Sequence, residues 1–167
     1  MFFVGFMGAG KTSVARRLAR SCRVASVDMD TYIERREGKR VKDIFAESGE
    51  AGFRAIETEV LRELGAKPDP LLVSCGGGVV VTPENHEVFR ESGFVVYLHV
   101  TADEAASRIS DVSTRPLFQN LEAARARAAE RLPLYEAVAD VTVDTAGKSV
   151  FAIAREVQRN LAKEGIL

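Results

Sequence analysis

The order of apolar and polar positions along the chain divides it into short apolar runs and longer segments with a helical period. Runs of the first kind predict strands over 2–6, 24–28, 70–75, 94–100 and 140–144. The second kind predicts helices over 11–21, 29–37, 41–47, 50–64, 83–91, 102–109, 120–131 and 148–163. Phe94-Val95-Val96-Tyr97-Leu98 is continuously apolar, as a strand buried on both faces requires. Phe53, Ile56, Val60 and Leu64 form the apolar stripe of one helix, whereas Val14, Ala15, Leu18 and Ala19 do so in another.

Punctuation between these segments supports the division. Gly65 and then Pro68 close the 50–64 helix, and Gly93 closes the one before the Phe94 run. Thr82-Pro83 reads as an N-cap followed by the first helical residue. Thr101 with Glu104 has the spacing of a capping box. Pro133 is expected to break the helical pattern of 120–139, because its ring meets the carbonyl of Ala129. Alternation of strands and helices implies a parallel sheet covered on both faces, with ligands beyond the carboxyl ends of the strands. The polar segment 110–120, which has no apolar period and carries Arg115-Pro116, is the candidate flap.

Composition narrows the class. The 167 residues suit one domain, 1–167, with no repeat, linker or low-complexity tract. With 46% hydrophobic and 28% charged residues the chain reads as globular. A net charge of −1 argues against a general nucleic-acid binder. No apolar run has transmembrane length, and an apolar strand begins almost at Met1, which leaves no room for a signal peptide; a cytoplasmic protein without membrane contact is expected. Cys22 and Cys75 have neither metal nor redox spacing and read as free thiols.

The chemistry begins at Gly5-Phe6-Met7-Gly8-Ala9-Gly10-Lys11-Thr12, a G-x-x-x-x-G-K-[ST] phosphate-binding loop between an apolar strand and a helix. Gly8 and Gly10 allow positive φ, so that backbone N–H groups can turn toward a phosphate. Lys11 supplies positive charge, the Thr12 hydroxyl can ligate Mg²⁺, and the helix start adds its dipole.

Three further stretches belong at the same sheet edge. Asp28-Met29-Asp30 ends the second strand: one carboxylate can sit near Mg²⁺ and its waters, the other can face a substrate hydroxyl, and either can cap a helix. Gly76-Gly77-Gly78 follows an apolar strand, as a flexible turn or where something must approach the backbone closely. Arg54 and Glu57 lie at i,i+3 beside the helical stripe; taken alone they read as a solvated ion pair. Arg108, Arg115 and Arg131, each taken alone, read as surface residues.

Together these pieces resemble the shikimate kinase family over nearly the whole chain. The resemblance is carried by Gly5 to Thr12, Asp28-Met29-Asp30 with Ile33-Glu34, Ile44 to Arg54 with Glu57, Gly76-Gly77-Gly78, Arg115-Pro116-Leu117 and Arg131-Leu132-Pro133-Leu134-Tyr135. It implies an α/β three-layer P-loop kinase fold with a five-stranded parallel sheet ordered 2-3-1-4-5. It also implies a substrate-binding helical region about 30–62 and a lid about 109–121. The implied activity is transfer of the ATP γ-phosphate to the 3-hydroxyl of shikimate, in aromatic amino-acid biosynthesis, by a monomer. By position, Gly8, Ala9, Gly10, Lys11, Thr12 and Ser13 would hold phosphates, and Thr12 and Asp28 would serve Mg²⁺. Asp30 would bind the substrate hydroxyls and accept or orient the reacting proton. Arg54 and Arg131 would grip the carboxylate beside Gly76, Gly77 and Gly78. Arg115 would reach the phosphates from the lid, Arg108 would lie against adenine, and Lys148 would make a weaker nucleotide contact.

Departures from the family pattern are Ser26, the stretch Ser110-Asp111-Val112-Ser113 and Phe118. They bear on lid closure and affinity more than on the chemistry. Two other readings remain: a gluconate-like kinase of the same fold, and an ATP-binding switch or silent regulator. A guanine-nucleotide switch would carry Asn-Lys-x-Asp, which does not occur.

Overall fold

The structure is a computed structural model that describes residues 1–109 and 119–166. Five parallel strands, β1 (Phe2–Val4), β2 (Ala25–Asp28), β3 (Leu71–Ser74), β4 (Val95–His99) and β5 (Val141–Asp144), form one sheet in the order β2-β3-β1-β4-β5. This is the expected order. β1 lies at the centre, with Phe3 paired to Ser74 on one side and to Val96 on the other. All three β1 residues are buried, which is why this strand is apolar without alternation. The helices are α1 (Lys11–Cys22), α2 (Met29–Glu37), α3 (Val41–Gly65), α4 (Pro83–Ser92), α5 (Ala102–Arg108), α6 (Leu121–Val138) and α7 (Val150–Lys163). A 3-10 turn over Val79–Val81 precedes α4.

The core joins the central strands to the helical stripes: Phe2, Phe3, Leu18, Leu61, Phe89, Leu98 and Leu161 are all essentially inaccessible. Phe2 meets Phe89 edge-on at 5.2 Å. Each strand ends at the same edge of the sheet, so the loops after β1, β2, β3 and β5 converge there.

Several boundaries differ from expectation for identifiable reasons. β1 stops at Val4, because Gly5 takes φ 145° and presses on β4: a Cβ there would lie 2.4 Å from the Leu98 carbonyl oxygen. The two helices expected over 41–47 and 50–64 form one path, α3, with Gly49 non-helical at φ 66° and ψ −176°. The Thr82 side chain makes no capping bond to α4. Thr101 Oγ1 accepts from the Glu104 N–H at 3.2 Å, but the Glu104 carboxylate goes instead to Arg108 and Gly147, so the capping box is half made. α6 does not break at Pro133; it runs on to Val138. Proline removes one backbone donor, while Arg131 and Tyr135 on either side of it are buried and Tyr135 stacks on Tyr97 at 5.1 Å, which holds the helix in register.

Both cysteines are free, Cys22 half-buried and Cys75 buried. Among the described residues no helix is long and apolar enough to cross a membrane.

Candidate functional site

A cleft of about 630 Å³ opens at the carboxyl edge of the sheet. Its floor is the loop from Gly8 to Ser13, so Gly8, Ala9, Gly10, Lys11, Thr12 and Ser13 all line one cleft. Gly8 and Gly10 have φ of 82° and 89°, which favours glycine at both. At Gly8 a Cβ would also stand 2.9 Å from that of Ala105, whereas above Gly10 there is open space. Gly10 is the N-cap of α1, so the first N–H groups of that helix have no partner inside it and can serve an anion. Lys11 Nζ is drawn across the loop, donating to the carbonyls of Gly5 at 2.8 Å and Phe6 at 3.1 Å.

Thr12, Asp28 and Ser74 make an oxygen cluster beside this loop. Thr12 Oγ1 donates to Asp28 Oδ2 at 2.6 Å and lies 2.9 Å from Ser74 Oγ. The parallel register sets Asp28 opposite Ser74. The other carboxylate oxygen, Oδ1, caps α2 by accepting from the N–H and hydroxyl of Thr31. Asp28 therefore caps α2 through one oxygen and meets the Thr12 hydroxyl through the other. Burial alone would raise its pKa; the bonds from Thr12 and Thr31 outweigh that and hold the carboxyl below its usual range. One carboxylate and two hydroxyls beside a phosphate loop suit Mg²⁺, which takes few protein oxygens and completes its shell with water and phosphate.

The three glycines after β3 bring the second half of the site together. A Cβ on Gly76 would lie 2.9 Å from Glu57 Oε1 and 3.1 Å from Asp30 Oδ1. On Gly77 it would be 3.8 Å from Arg131 Nη1, and on Gly78 only 2.2 Å from Arg54 Nη2. The glycines thus form a common backing for Asp30, Glu57, Arg54 and Arg131, with Asp30 in the first turn of α2, Arg54 and Glu57 on α3, and Arg131 on α6. Of the three, Gly76 and Gly77 line the cleft, while Gly78 packs behind Arg54.

The Arg54–Glu57 pair is not solvated. Arg54 Nη1 donates to Glu57 Oε2 at 2.7 Å, and the Glu57 side chain is 1% exposed. Close packing under the glycine segment removes water from what an isolated i,i+3 pair would leave exposed. Burial pushes the Glu57 carboxyl up, and the positive charge of Arg54 offsets part of that rise. Arg131 is 6% exposed, and the Nε atoms of Arg54 and Arg131 are buried with no hydrogen-bond partner among the described residues. Two buried guanidinium groups behind one glycine segment have the chemistry to receive a carboxylate.

The far end of the cleft is a strap of hydrogen bonds around Arg108. Its guanidinium donates to Glu104 Oε1 at 2.6 Å, to the Thr145 carbonyl at 2.7 Å and hydroxyl at 3.0 Å, and to the Gly8 carbonyl at 3.3 Å. Glu104 also accepts from the Gly147 N–H at 2.9 Å, which ties α5 to the loop after β5. Lys148 lines the cleft, with its amine on the Asp144 carbonyl and on Glu156. Arg115 and most of the expected lid fall outside the described residues. Sequence reasoning gave no role at this site to Ser74 or Thr145, whose single hydroxyls carry no local signal, and gave Glu104 only a capping role; the convergence of strand ends brings all three in.

A family model described as Shikimate kinase matches residues 7–162. A relative named shikimate kinase, from Bacillus cytotoxicus, is 38% identical over 163 residues, 96% of this chain and 97% of that protein. Another of the same name, from Dehalococcoides mccartyi, is 36% identical over 162 residues, covering 96% and 92%. Among solved structures, shikimate kinase from Acinetobacter baumannii in complex with shikimate superposes with a TM-score of 0.91 at 34% identity, covering 99% of this chain and 94% of that one. A gluconokinase from Sinorhizobium meliloti, at a TM-score of 0.59 and 22% identity over 98% and 91% of the two chains, shares the fold alone. With the phosphate loop, the glycine-backed arginine pair and these likenesses in agreement, the chain belongs to the shikimate kinase family.

Proposed function

We propose that this chain transfers the γ-phosphoryl group of ATP to the 3-hydroxyl of shikimate. The observation that carries the reading is the pair of buried Nε donors of Arg54 and Arg131, unpartnered among the described residues and backed by Gly77 and Gly78, next to a phosphate loop. A phosphate loop alone serves any nucleoside triphosphate; the added carboxylate receptor calls for an acid with hydroxyls elsewhere on its ring. The shikimate bound in the Acinetobacter baumannii relative supports the same substrate here.

Phosphoryl transfer asks a protein for positioning and charge stabilisation more than for covalent chemistry. The N–H groups of the loop and of the α1 start hold the phosphates, and Lys11 leaves its carbonyl contacts to meet the charge on the terminal one. Thr12, with Asp28 and Ser74 behind it, would hold Mg²⁺. The metal, when bound, neutralises charge on the phosphate oxygens. Arg54 and Arg131 fix the acid through its carboxylate, by charge-assisted bonds of about 1.5–3 kcal/mol each. Glu57 keeps the Arg54 fork oriented. The distance from carboxylate to reacting hydroxyl then determines which hydroxyl reaches Asp30, whose carboxylate orients it and takes or shares its proton. Arg108 and Lys148 stand at the base-binding end. Arg115 is assigned to the phosphates from the flap, where an arginine can contribute about 10³–10⁵ in rate in related enzymes. Every group in this scheme comes from one chain, so a monomer suffices, and a cytoplasmic supply of ATP fits it.

Gluconate, also an acid, is the second substrate to exclude. ADP release measured by a coupled assay is expected to depend on shikimate and to stay at the ATP-only background with gluconate. Release that responds to gluconate and not to shikimate overturns the proposal.

A further inference from the structure

The hydroxyl of Tyr135 sits where the two halves of the acid-binding end meet. Tyr135 is 1% exposed and lies one helical turn after Arg131 on α6, so the two side chains share a face. Its Oη donates to the Gly77 carbonyl at 2.5 Å, and the Arg131 guanidinium lies beside both, with its Nη1 3.8 Å from where a Gly77 Cβ would stand. Its ring stacks on that of Tyr97 at 5.1 Å and 23°.

The chemistry allows only one arrangement of that hydroxyl. A carbonyl can only accept, so the single O–H proton points at Gly77. A guanidinium can only donate, so Arg131 can meet this hydroxyl only through a lone pair of the same oxygen. The hydroxyl therefore ties α6, one turn after Arg131, to the glycine segment at Gly77. Burial raises its pKa to about 12, so it keeps the donated proton throughout the working range. The stack on Tyr97 fixes the ring, and with it the oxygen.

On the reading that this site binds shikimate, we infer that Tyr135 is a positioning residue for the acid: its hydroxyl aims Arg131 and holds Gly77 in place, so that the carboxylate receptor is formed before substrate arrives. Pre-arrangement lowers the ordering cost at binding, so its loss should appear in substrate affinity. The helix that continues past Pro133 has a use in this scheme, since Tyr135 could not reach Gly77 if α6 ended at Arg131.

The test is Tyr135→Phe, which keeps the stacked ring and removes one oxygen. The KM for shikimate should rise about five- to tenfold, the value of one ordinary intramolecular hydrogen bond. The KM for ATP should stay within about twofold. In an Arg131→Ala background the same substitution should add no further rise in the shikimate KM. An unchanged shikimate KM overturns the inference, as does an equal rise for both substrates or a full further effect without Arg131. A measurement on the unaltered chain covers the case in which the variant fails to fold: with ¹³C at the tyrosine Cζ positions, shikimate should shift the Tyr135 signal and ATP should not, and a signal indifferent to shikimate overturns the inference. Wild-type protein that shows no shikimate-dependent turnover would overturn the proposed function itself, a result separable from both of these.

Discussion

Gly78→Ala isolates the packing on which the acid-binding end depends. The backbone at Gly78, φ −96° and ψ 2°, is open to alanine, so the substitution tests space rather than backbone strain. The added Cβ would stand 2.2 Å from Arg54 Nη2 and 2.6 Å from both Cζ and Nη1. Restoring an ordinary 3.4 Å contact from 2.2 Å requires the guanidinium to move by about 1.2 Å. A free arginine would do so at little cost. This one is held at 2.7 Å by a buried glutamate, and a hydrogen bond of that length does not survive a displacement of an ångström. One charge-assisted bond to substrate is then lost or misdirected, about 1.5–3 kcal/mol, which is roughly a 10- to 150-fold rise in the KM for shikimate. The KM for ATP should remain within about twofold, because the phosphate loop does not touch Arg54. Glu57 is also left with poorer pairing, so thermal unfolding should show a loss of about 1–3 kcal/mol. Steady-state kinetics with each substrate varied in turn decide the matter. A shikimate KM equal to that of the unaltered chain, or equal rises for both substrates, would refute the claim that Gly78 is small to make room for Arg54.

Asp30→Asn should reduce kcat by at least about 10²-fold with nucleotide binding retained; a near-normal kcat in single-turnover measurements removes Asp30 from the chemistry. Glu104→Gln should raise the KM for ATP several-fold and leave that for shikimate unchanged, since Glu104 holds Arg108 and Gly147 together; an ATP titration by calorimetry checks it. Protonation of Glu57, whose pKa burial raises, removes the negative partner of Arg54 as pH falls through that raised value. Shikimate affinity should therefore weaken on the acid side, and Glu57→Gln should flatten that limb of the binding profile. Asp28 has the opposite sign: its folded pKa is depressed, so its stabilising contribution is present above the usual carboxylate range and lost as pH falls through the lower folded value. The stability gap between the unaltered chain and Asp28→Asn, read by denaturant titration, should close on that descent.

The central strands β1, β3 and β4 were legible because they are mostly buried and read as unbroken apolar runs, whereas the edge strands β2 and β5 are partly exposed and mix polar residues in; the strand order followed from the resemblance. The phosphate loop was legible because each of its residue types has one physical use. Asp28 was half legible: its capping bond follows from its place before a helix, while its bond to Thr12 depends on β2 and β1 ending at the same edge. The acid-binding end was less so. Nothing local tells that Glu57 is buried, since the same i,i+3 spacing on a solvated helix would look identical; the glycine segment from β3 supplies the burial. Pro133 misled for a related reason. Its local effect is to end a helix, and that effect is overridden by the stacking of Tyr135 on Tyr97, 38 residues earlier in the chain. Glu104 looked like half of a capping box, and only the fold brings it to Arg108 and Gly147.

Identification of the product tests the central claim most directly. After incubation of the chain with ATP, Mg²⁺ and shikimate, correlated ³¹P–¹H NMR should show a phosphate coupled to the proton on carbon 3 of the ring, formed in step with ADP. Phosphate on another hydroxyl, or ADP accumulating while shikimate stays unphosphorylated, would contradict the placing of Asp30 by the two arginines that grip the far end of the acid.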